Sequence, residues 1–417
     1  MLIGFSFSNF MSFYEESVFS MRATADSEYR EFNTIKTEYG DLLKNAVIFG
    51  ANASGKTNLI SALNYMRAII ISDPKPQSEI IRMYTRFAFK ENSINIPRTF
   101  EVEFIEDGIV FVYGFELLHN EVNKEYLYKK TKRRKALYTR SSPDFNDIVL
   151  SKEMNNVKNF TKNTRRDNLF LYWAVWGNNE LAMIVGRWFF KLEIFKTEDT
   201  QSILTSTIDY IEGNKDGKDN VLDFLQKADF NIINFDIDTK QESPANGNNF
   251  SKWSVNLKTY RYCYGDDKEP SEIICFPISL ESAGTKKMFE IAGPILKALE
   301  NGSVIFIDEI DTGLHPLLVR ELVMMFNSIS KNTNNAQLVC NTHDILLLDE
   351  EIRRDQIYFT EKDEHNLSRL YSLSDFKNVQ KDSKLLKRYL FGLFGATPKL
   401  KEFYIGKKYK WGGFENE

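Results

Sequence analysis

Several features are scarce in this sequence, and each shortage excludes a class of protein. Three cysteines occur in 417 residues. They are Cys263, Cys275 and Cys340, with no pair at metal-ligand spacing, which argues against both a disulfide scaffold and a zinc site. A reducing cytoplasm fits this usage. No stretch reaches the run of about 18 apolar residues that a membrane span needs, so no membrane partner is expected. The start, MLIGFSFSNFMSF, has no basic segment followed by an apolar core and a small-residue cleavage site, and does not read as a secretory signal. Charge of one sign is not in excess: 54 Lys and Arg face 58 Asp and Glu, a net charge of -4. No global field would therefore hold nucleic acid, and any such contact requires a local patch. Internal repeats, low-complexity tracts and sustained heptads are also missing, which excludes a solenoid and a long coiled-coil arm.

What is present is a hydrophobic content of 42%, enough for a large core and, at this length, for two or three compact units. Alternation at Ile3, Phe5 and Phe7, then at Phe19 and Met21, predicts paired strands at the front of the chain. Ala46 to Phe49 reads as a further strand. Leu59, Ile60, Leu63, Met66 and Ile70 recur at helical spacing. Residues 99–140 read as a strand meander with a turn at Asp107-Gly108. From about Ser151 to Ala228 the pattern turns helical, through YWAVW and ELAMIVGRWFFKLEIF, with a loose linker at Gly213 to Asn220. Strands then surround the polar loop SPANGNN, and strands and helices alternate from Ile273 to Phe359. The fold class expected is α/β, a mixed sheet with flanking helices plus an antiparallel β lobe, with an inserted helical subdomain. The expected division is 1–148, 149–240 and 241–417.

The strongest motif is Gly50-Ala51-Asn52-Ala53-Ser54-Gly55-Lys56-Thr57, which fits G-x-x-x-x-G-K-[ST] in full and lies between a predicted strand and a predicted helix. Its small residues let consecutive backbone N–H groups point at a phosphate, and the helix behind offers its positive end. Lys56 would reach the β- and γ-phosphates, and the Thr57 hydroxyl would hold magnesium. Asn58 follows directly and completes the candidate set. Far downstream, VIFIDEIDTGLHP ends an apolar strand in two carboxylates. Asp308 is placed to bind magnesium through water and Glu309 to polarise the attacking water as general base.

Between these, Ser282-Ala283-Gly284-Thr285 joins a hydroxyl, a bare backbone and a helix start, which suits phosphate but is also an ordinary cap. The run QLVCNTHD places His343 at the end of another predicted strand, beside the phosphates. His315, in Leu314-His315-Pro316, reads as a helix start, and His119 and His365 carry no signal.

The order phosphate loop, serine-glycine signature, strand ending Asp-Glu and strand ending in His resembles the heads of ABC-type ATPases. SAGT and DEIDTGLHP look most like the branch containing SMC proteins, break-repair ATPases and the OLD (overcoming lysogenization defect) family. FSFSNFMSF, ESAGTKK, RRDQIYFTEKD and YLFGLFGATP resemble the stand-alone abortive-infection ATPases of bacteria, of the AbiL, RloA and PARIS type. The resemblance implies a phosphate-loop ABC-type ATPase head using ATP and Mg2+, acting in anti-phage defence. It implies a head-to-tail dimer or larger homo-oligomer in which Ser282 and Gly284 of one copy contact the γ-phosphate held by the other. Asp311 would communicate across that interface, and His343, with Glu309 a catalytic residue, would sense or stabilise the γ-phosphate.

The glutamine that touches magnesium in such heads has no clear counterpart. Gln77 is the nearby candidate, in what reads as a Pro-rich loop. OLD nucleases carry a TOPRIM nuclease after the ATPase. The tail beyond Phe359 is short and has no acidic cluster suited to two metals, so a separately encoded nuclease or toxin is expected as effector. The rival is a DNA-repair or chromosome-maintenance ATPase that clamps DNA. Lys129 to Lys135 would serve it as a phosphate-binding patch, or would simply be a solvated hairpin tip. Tyr172, Trp173, Trp176, Trp188, Phe189 and Phe190 read as core or a partner-binding face rather than a base-stacking platform. Lys407 to Trp411 would dock a partner or fray.

Overall fold

The computed structural model describes residues 1–83, 85–130, 133–242, 252–377, 379 and 384–398. The SPANGNN loop and Lys407 to Trp411 lie outside these residues, as do Thr131 and Lys132 of the basic run. Two large sheets organise the chain. A seven-stranded antiparallel sheet runs in the order 148–150, 134–140, 121–130, 109–118, 98–106, 2–8, 17–20. Its hairpins follow from local chemistry. Asp107 and Gly108, both at positive φ, form the two-residue turn between Glu106 and Ile109, as a right-twisted hairpin prefers. Burial alternates along Arg98–Glu106, so one face meets the core.

The second sheet has six strands in the order 193–195, 304–307, 337–341, 45–50, 357–362, 368–372. Its first five strands are parallel, and the last pairs antiparallel. Asn45–Gly50, Val304–Ile307 and Gln337–Asn341 are buried throughout, as expected for parallel strands covered on both faces. The helices Lys56–Ile71, Ala283–Asn301 and Pro316–Asn327 contribute buried residues to the two main cores. Parallel strands of one sheet share an end, so the chain leaves Gly50, Ile307 and Asn341 along a common edge. Ligands of open α/β sheets bind at that carboxyl edge.

The segment 149–240, expected as one helical insertion, is divided by packing. Phe170–Trp176 and Glu180–Lys191 join the core of the antiparallel lobe, where Trp188 stacks on Phe104 with ring centroids 4.1 Å apart. Glu125, fully buried, secures this attachment by accepting from Tyr113 and Tyr138 hydroxyls and from the Phe170 and Leu171 backbone N–H groups. Residues of Thr200–Gly213 and Gly217–Lys227 instead belong to the other core, with Ala283–Asn301. The reason is the stretch between them. In sequence KLEIF reads as the end of a helix, but the helix stops at Lys191 and Glu193–Phe195 becomes an edge strand beside Val304–Ile307. Three apolar or extended residues carry no period of their own, so the open sheet edge decides their conformation.

Gln77 is corrected as well. It lies in the helix Pro74–Arg82, started by a proline in its first turn, rather than in a loop. Its buried amide donates to Ile69 O and accepts from Leu169 N, so it is spent on packing.

Candidate functional site

The loop from Gly50 to Thr57 is built to present backbone. Ala53 has φ 60° and Gly55 φ 115°, left-handed positions of the kind that build the backbone concavities which accept phosphate. A Cβ at Gly55 would stand 2.7 Å from Ser368 Oγ, so only glycine fits. The loop is anchored from behind. Ser54 Oγ pairs with Thr360 Oγ1 at 2.6 Å, and Asn58 donates to Ser12 Oγ at 2.7 Å. The Ser54 and Asn58 side chains thus tie the loop to the scaffold. Lys56 folds back on Gly50 O and Ala51 O, at 2.9 and 3.2 Å. Burial lowers its affinity for a proton, while the carboxylates of Glu309, Asp308 and Asp311 oppose that shift.

Asp308 and Thr57 meet although 251 residues separate them: Thr57 Oγ1 donates to Asp308 Oδ1 at 3.0 Å. Burial raises the Asp308 carboxyl above the ordinary carboxylate range, against the hydrogen bonds from Asn341 and Thr57, and Glu309 raises it further. A hydroxyl and a carboxylate on one spot are hard oxygen donors of the kind Mg2+ takes. Among the described residues no cluster of three or more His, Cys, Asp or Glu could hold a metal unaided. Thr57 and Asp308 would supply two oxygens to such an ion, with phosphate oxygens and water as the others, the usual arrangement for Mg2+.

Glu309 follows in the left-handed region, φ 47°, which is uncommon for a residue with a side chain. Its carboxylate accepts from Thr312 Oγ1 at 3.3 Å. What holds its backbone is Asn341, which sequence reasoning misses. The Asn341 amide donates to Asp308 Oδ1 while its oxygen accepts the Glu309 N–H, and the side chain is fully buried. Strand order explains the bridge, since 337–341 lies between 304–307 and 45–50. The edge strand adds more: Phe195 O accepts from Asp308 N at 2.8 Å, and Thr197 Oγ1 donates to Asp308 O at 3.0 Å. A second overlooked residue is Lys287, nearly buried, whose ammonium burial disfavours and the carboxylates of Glu290, Asp308, Glu309 and Asp311 favour.

Asp311 accepts the His343 N–H at 3.2 Å with each oxygen. His343 is exposed and lines a cavity of about 780 Å³ with Gly50, Ala51, Asn52, Thr342, Tyr389, Leu390 and Pro398. Ser282 and Gly284 are not among the residues that line it. Ser282 caps the helix Ala283–Asn301, accepting from Thr285 N at 3.1 Å. Gly284 lies so close to the turn after Asp311 that an added Cβ would stand 2.8 Å from Gly313 O. His315 accepts from Leu317 N and caps the helix Pro316–Asn327.

Four described cations of the basic run, Lys129, Lys130, Arg134 and Lys135, are matched within the chain. Glu153 holds both Lys129 and Lys135, Glu103 lies 3.8 Å from Lys130, and Glu101 lies 3.5 Å from Arg134. Of the aromatic stretch, Trp188 and Phe189 are core while Trp176 and Phe190 are exposed.

Residues 46–171 and 202–349, more than half of the chain, match the family described as "AAA domain, putative AbiEii toxin, Type IV TA system". No curated protein matches. Among solved structures, the chain is similar to one titled "Crystal structure of the SmcHead bound to the C-winged helix domain of ScpA". The identity is 12% and the TM-score 0.41, covering 89% of this chain and 97% of that one. No described helix is long and apolar enough to cross a membrane.

Proposed function

The chain belongs to this AAA-domain family, and from that premise we propose that it is an ABC-type ATPase of bacterial anti-phage defence that binds ATP with Mg2+ and hydrolyses it. The observation that carries the reading is the Thr57–Asp308 contact at 3.0 Å, in which phosphate loop and acidic strand end supply oxygens to one point. Lys56, released from Gly50 O and Ala51 O, reaches the β- and γ-phosphates. Thr57 and Asp308 would hold the cation, which would supply neutralisation of charge on the phosphate oxygens. Glu309 orients and deprotonates the attacking water, with Asn341 fixing the backbone from which its side chain departs.

In a head-to-tail dimer or a larger homo-oligomer, Ser282 and Gly284 of one copy would complete the site at the other copy's phosphate loop. Asp311 then links the two halves, and its hold on His343 sets that residue at the γ-phosphate side. The family's description as a putative AbiEii toxin of a Type IV TA system supports a role in defence; the effector would be a separately encoded nuclease or toxin. The DNA-clamp alternative finds less support, because the cations of Lys129 to Lys135 that would meet phosphate are largely engaged by Glu153, Glu103 and Glu101.

Lys56→Ala is expected to abolish ATP binding. Glu309→Gln is expected to bind ATP and accumulate the closed assembly. Hydrolysis by Glu309→Gln at the native rate would remove Glu309 from the role of base. Turnover that rises with duplex DNA, and loses that rise when Lys129, Lys130, Arg133, Arg134 and Lys135 are neutralised, would favour the clamp instead.

A further inference from the structure

Two exposed apolar patches flank the two halves of the proposed ATP site, and their charges are opposite. The first borders the phosphate loop. Tyr389 and Leu390, from the short helix Leu385–Leu390, line the cavity at Gly50 to Asn52. Just outside it Leu390, Phe391 and Leu393 are exposed, Phe391 by 72%, beside Leu346 of the neighbouring turn. Lys384 and Lys387 stand exposed on the same segment, and Arg388 adds a third positive charge. Protein surfaces seldom leave such a strip bare without a partner.

The second patch leads into Ser282. The strands 234–242, 252–264 and 270–277 form a sheet whose inner face, Phe235, Leu257 and Thr259, is buried, with Phe235 against Phe289. Because Tyr262 is paired with Ile273 and Tyr260 with Cys275, these residues share the opposite face. Tyr262, Tyr264 and Ile273 are exposed there, and Leu280, two residues before Ser282, is 71% exposed. The hairpin tip and its flank carry Asp266, Asp267, Glu269 and Glu272 against the single Lys268. None of these four carboxylates forms an ion pair among the described residues. Carboxylates at the tip repel a nucleic-acid backbone, which excludes stacked bases as the natural occupant of the tyrosine face.

We infer that these patches are the two sides of one contact between copies of this chain: the 384–393 segment of one protomer docks on the 260–280 sheet face of the other. This rests on the head-to-tail reading of the ATP site, in which one copy's Ser282 approaches the other copy's phosphate loop. Whatever carries Ser282 to that loop brings Leu280 and the acidic hairpin with it, toward the loop's neighbours Leu390, Phe391 and Lys387. Apolar residues meet at the centre and opposite charges at the rim, the usual anatomy of a specific interface. Each dimer makes the contact twice, once beside each nucleotide, so docking of the patches and closure on ATP are the same event.

The test uses the full chain carrying Glu309→Gln, with Mg2+ and ATP, followed by sedimentation velocity across concentration and salt. Lys384→Glu with Lys387→Glu is expected to weaken ATP-dependent dimerisation about tenfold or more, an effect that shrinks at high salt. Adding Asp267→Lys and Glu269→Lys to the same chain is expected to restore it, while Phe391→Ser weakens it at every salt concentration. Binding of a fluorescent ATP analogue to the monomer serves as the folding control and is expected to change less than about twofold, since none of the substituted side chains lines the cavity at the phosphate loop. If the Glu309→Gln chain stays monomeric with ATP, the head-to-tail reading itself fails. If it dimerises and the charge reversals change nothing, or weaken it without restoration by the second pair, the docking proposal alone is overturned.

Discussion

Replacing Asn341 by alanine isolates the bridge on which the acidic strand end depends. The side chain makes two hydrogen bonds, a charge-assisted one to Asp308 and one from the Glu309 backbone N–H. The first is worth about 1.5–3 kcal/mol and the second about 1 kcal/mol, so their loss in a buried position costs about 3 kcal/mol. An unfolding entropy of about 2.1 cal/mol/K per residue, over 417 residues, converts this to a fall in Tm of roughly 3–4 °C. The effect on turnover is larger in proportion. Glu309 sits at φ 47°, a conformation that persists when neighbours hold it, and without Asn341 its carboxylate loses a fixed origin. Misplacement of a catalytic group by about 1 Å costs on the order of 10²-fold, so kcat is expected to fall about 10- to 100-fold with little change in KM for ATP. Steady-state phosphate release and thermal melting measure both. Asn341→Asp keeps an acceptor for the Glu309 N–H but sets a second carboxylate against Asp308, so its stability is expected to recover on acidification. Native turnover and an unchanged Tm in Asn341→Ala would refute the bridging role.

Asp308→Asn keeps the acceptor for Thr57 and Asn341 and removes a charge that burial disfavours. Because the folded carboxyl is raised above its unfolded value, the native protein loses stability as pH rises through the raised value. The nucleotide-free variant is therefore expected to melt higher than the native chain at neutral pH, an advantage that fades toward about pH 4, while Mg2+ with ATP no longer stabilises it. Glu125→Ala orphans four buried donors; at about 1 kcal/mol each or more, denaturant unfolding is expected to show a loss of about 4 kcal/mol, and a loss under about 1 kcal/mol would contradict the hub. Glu153→Ala frees Lys129 and Lys135 and is expected to raise salt-sensitive binding to duplex DNA; unchanged binding would mean the pairing does not mask them.

Much of the site was legible because its pieces are local. Gly50 to Thr57 states its conformation through glycines and small residues, and Ile307 followed by Asp308 and Glu309 states a strand end through an abrupt change from apolar to acidic. The hairpin at Asp107-Gly108 was equally plain, because its turn needs positive φ at both residues. Asn341 was not legible, since an asparagine closing an apolar strand has no local signature. Its role exists only because three strands distant in sequence lie side by side in the sheet. Glu193–Phe195 was missed for a related reason, being too short to show a period and extended only because an open sheet edge pairs with it. The anchoring of Asn58 to Ser12 likewise depends on a turn that meets the loop only in the folded chain.

By itself the sequence determined the α/β class, the phosphate loop, the acidic pair and the cap at Ser282, since each is set by interactions among near neighbours. Tertiary structure alone decided that Thr57 and Asp308 share one point, that Asn341 fixes the backbone of Glu309, and that Gly284 packs against the turn after Asp311. These are relations between strands and helices far apart in the chain, and only the order in which the sheet assembles its strands sets them.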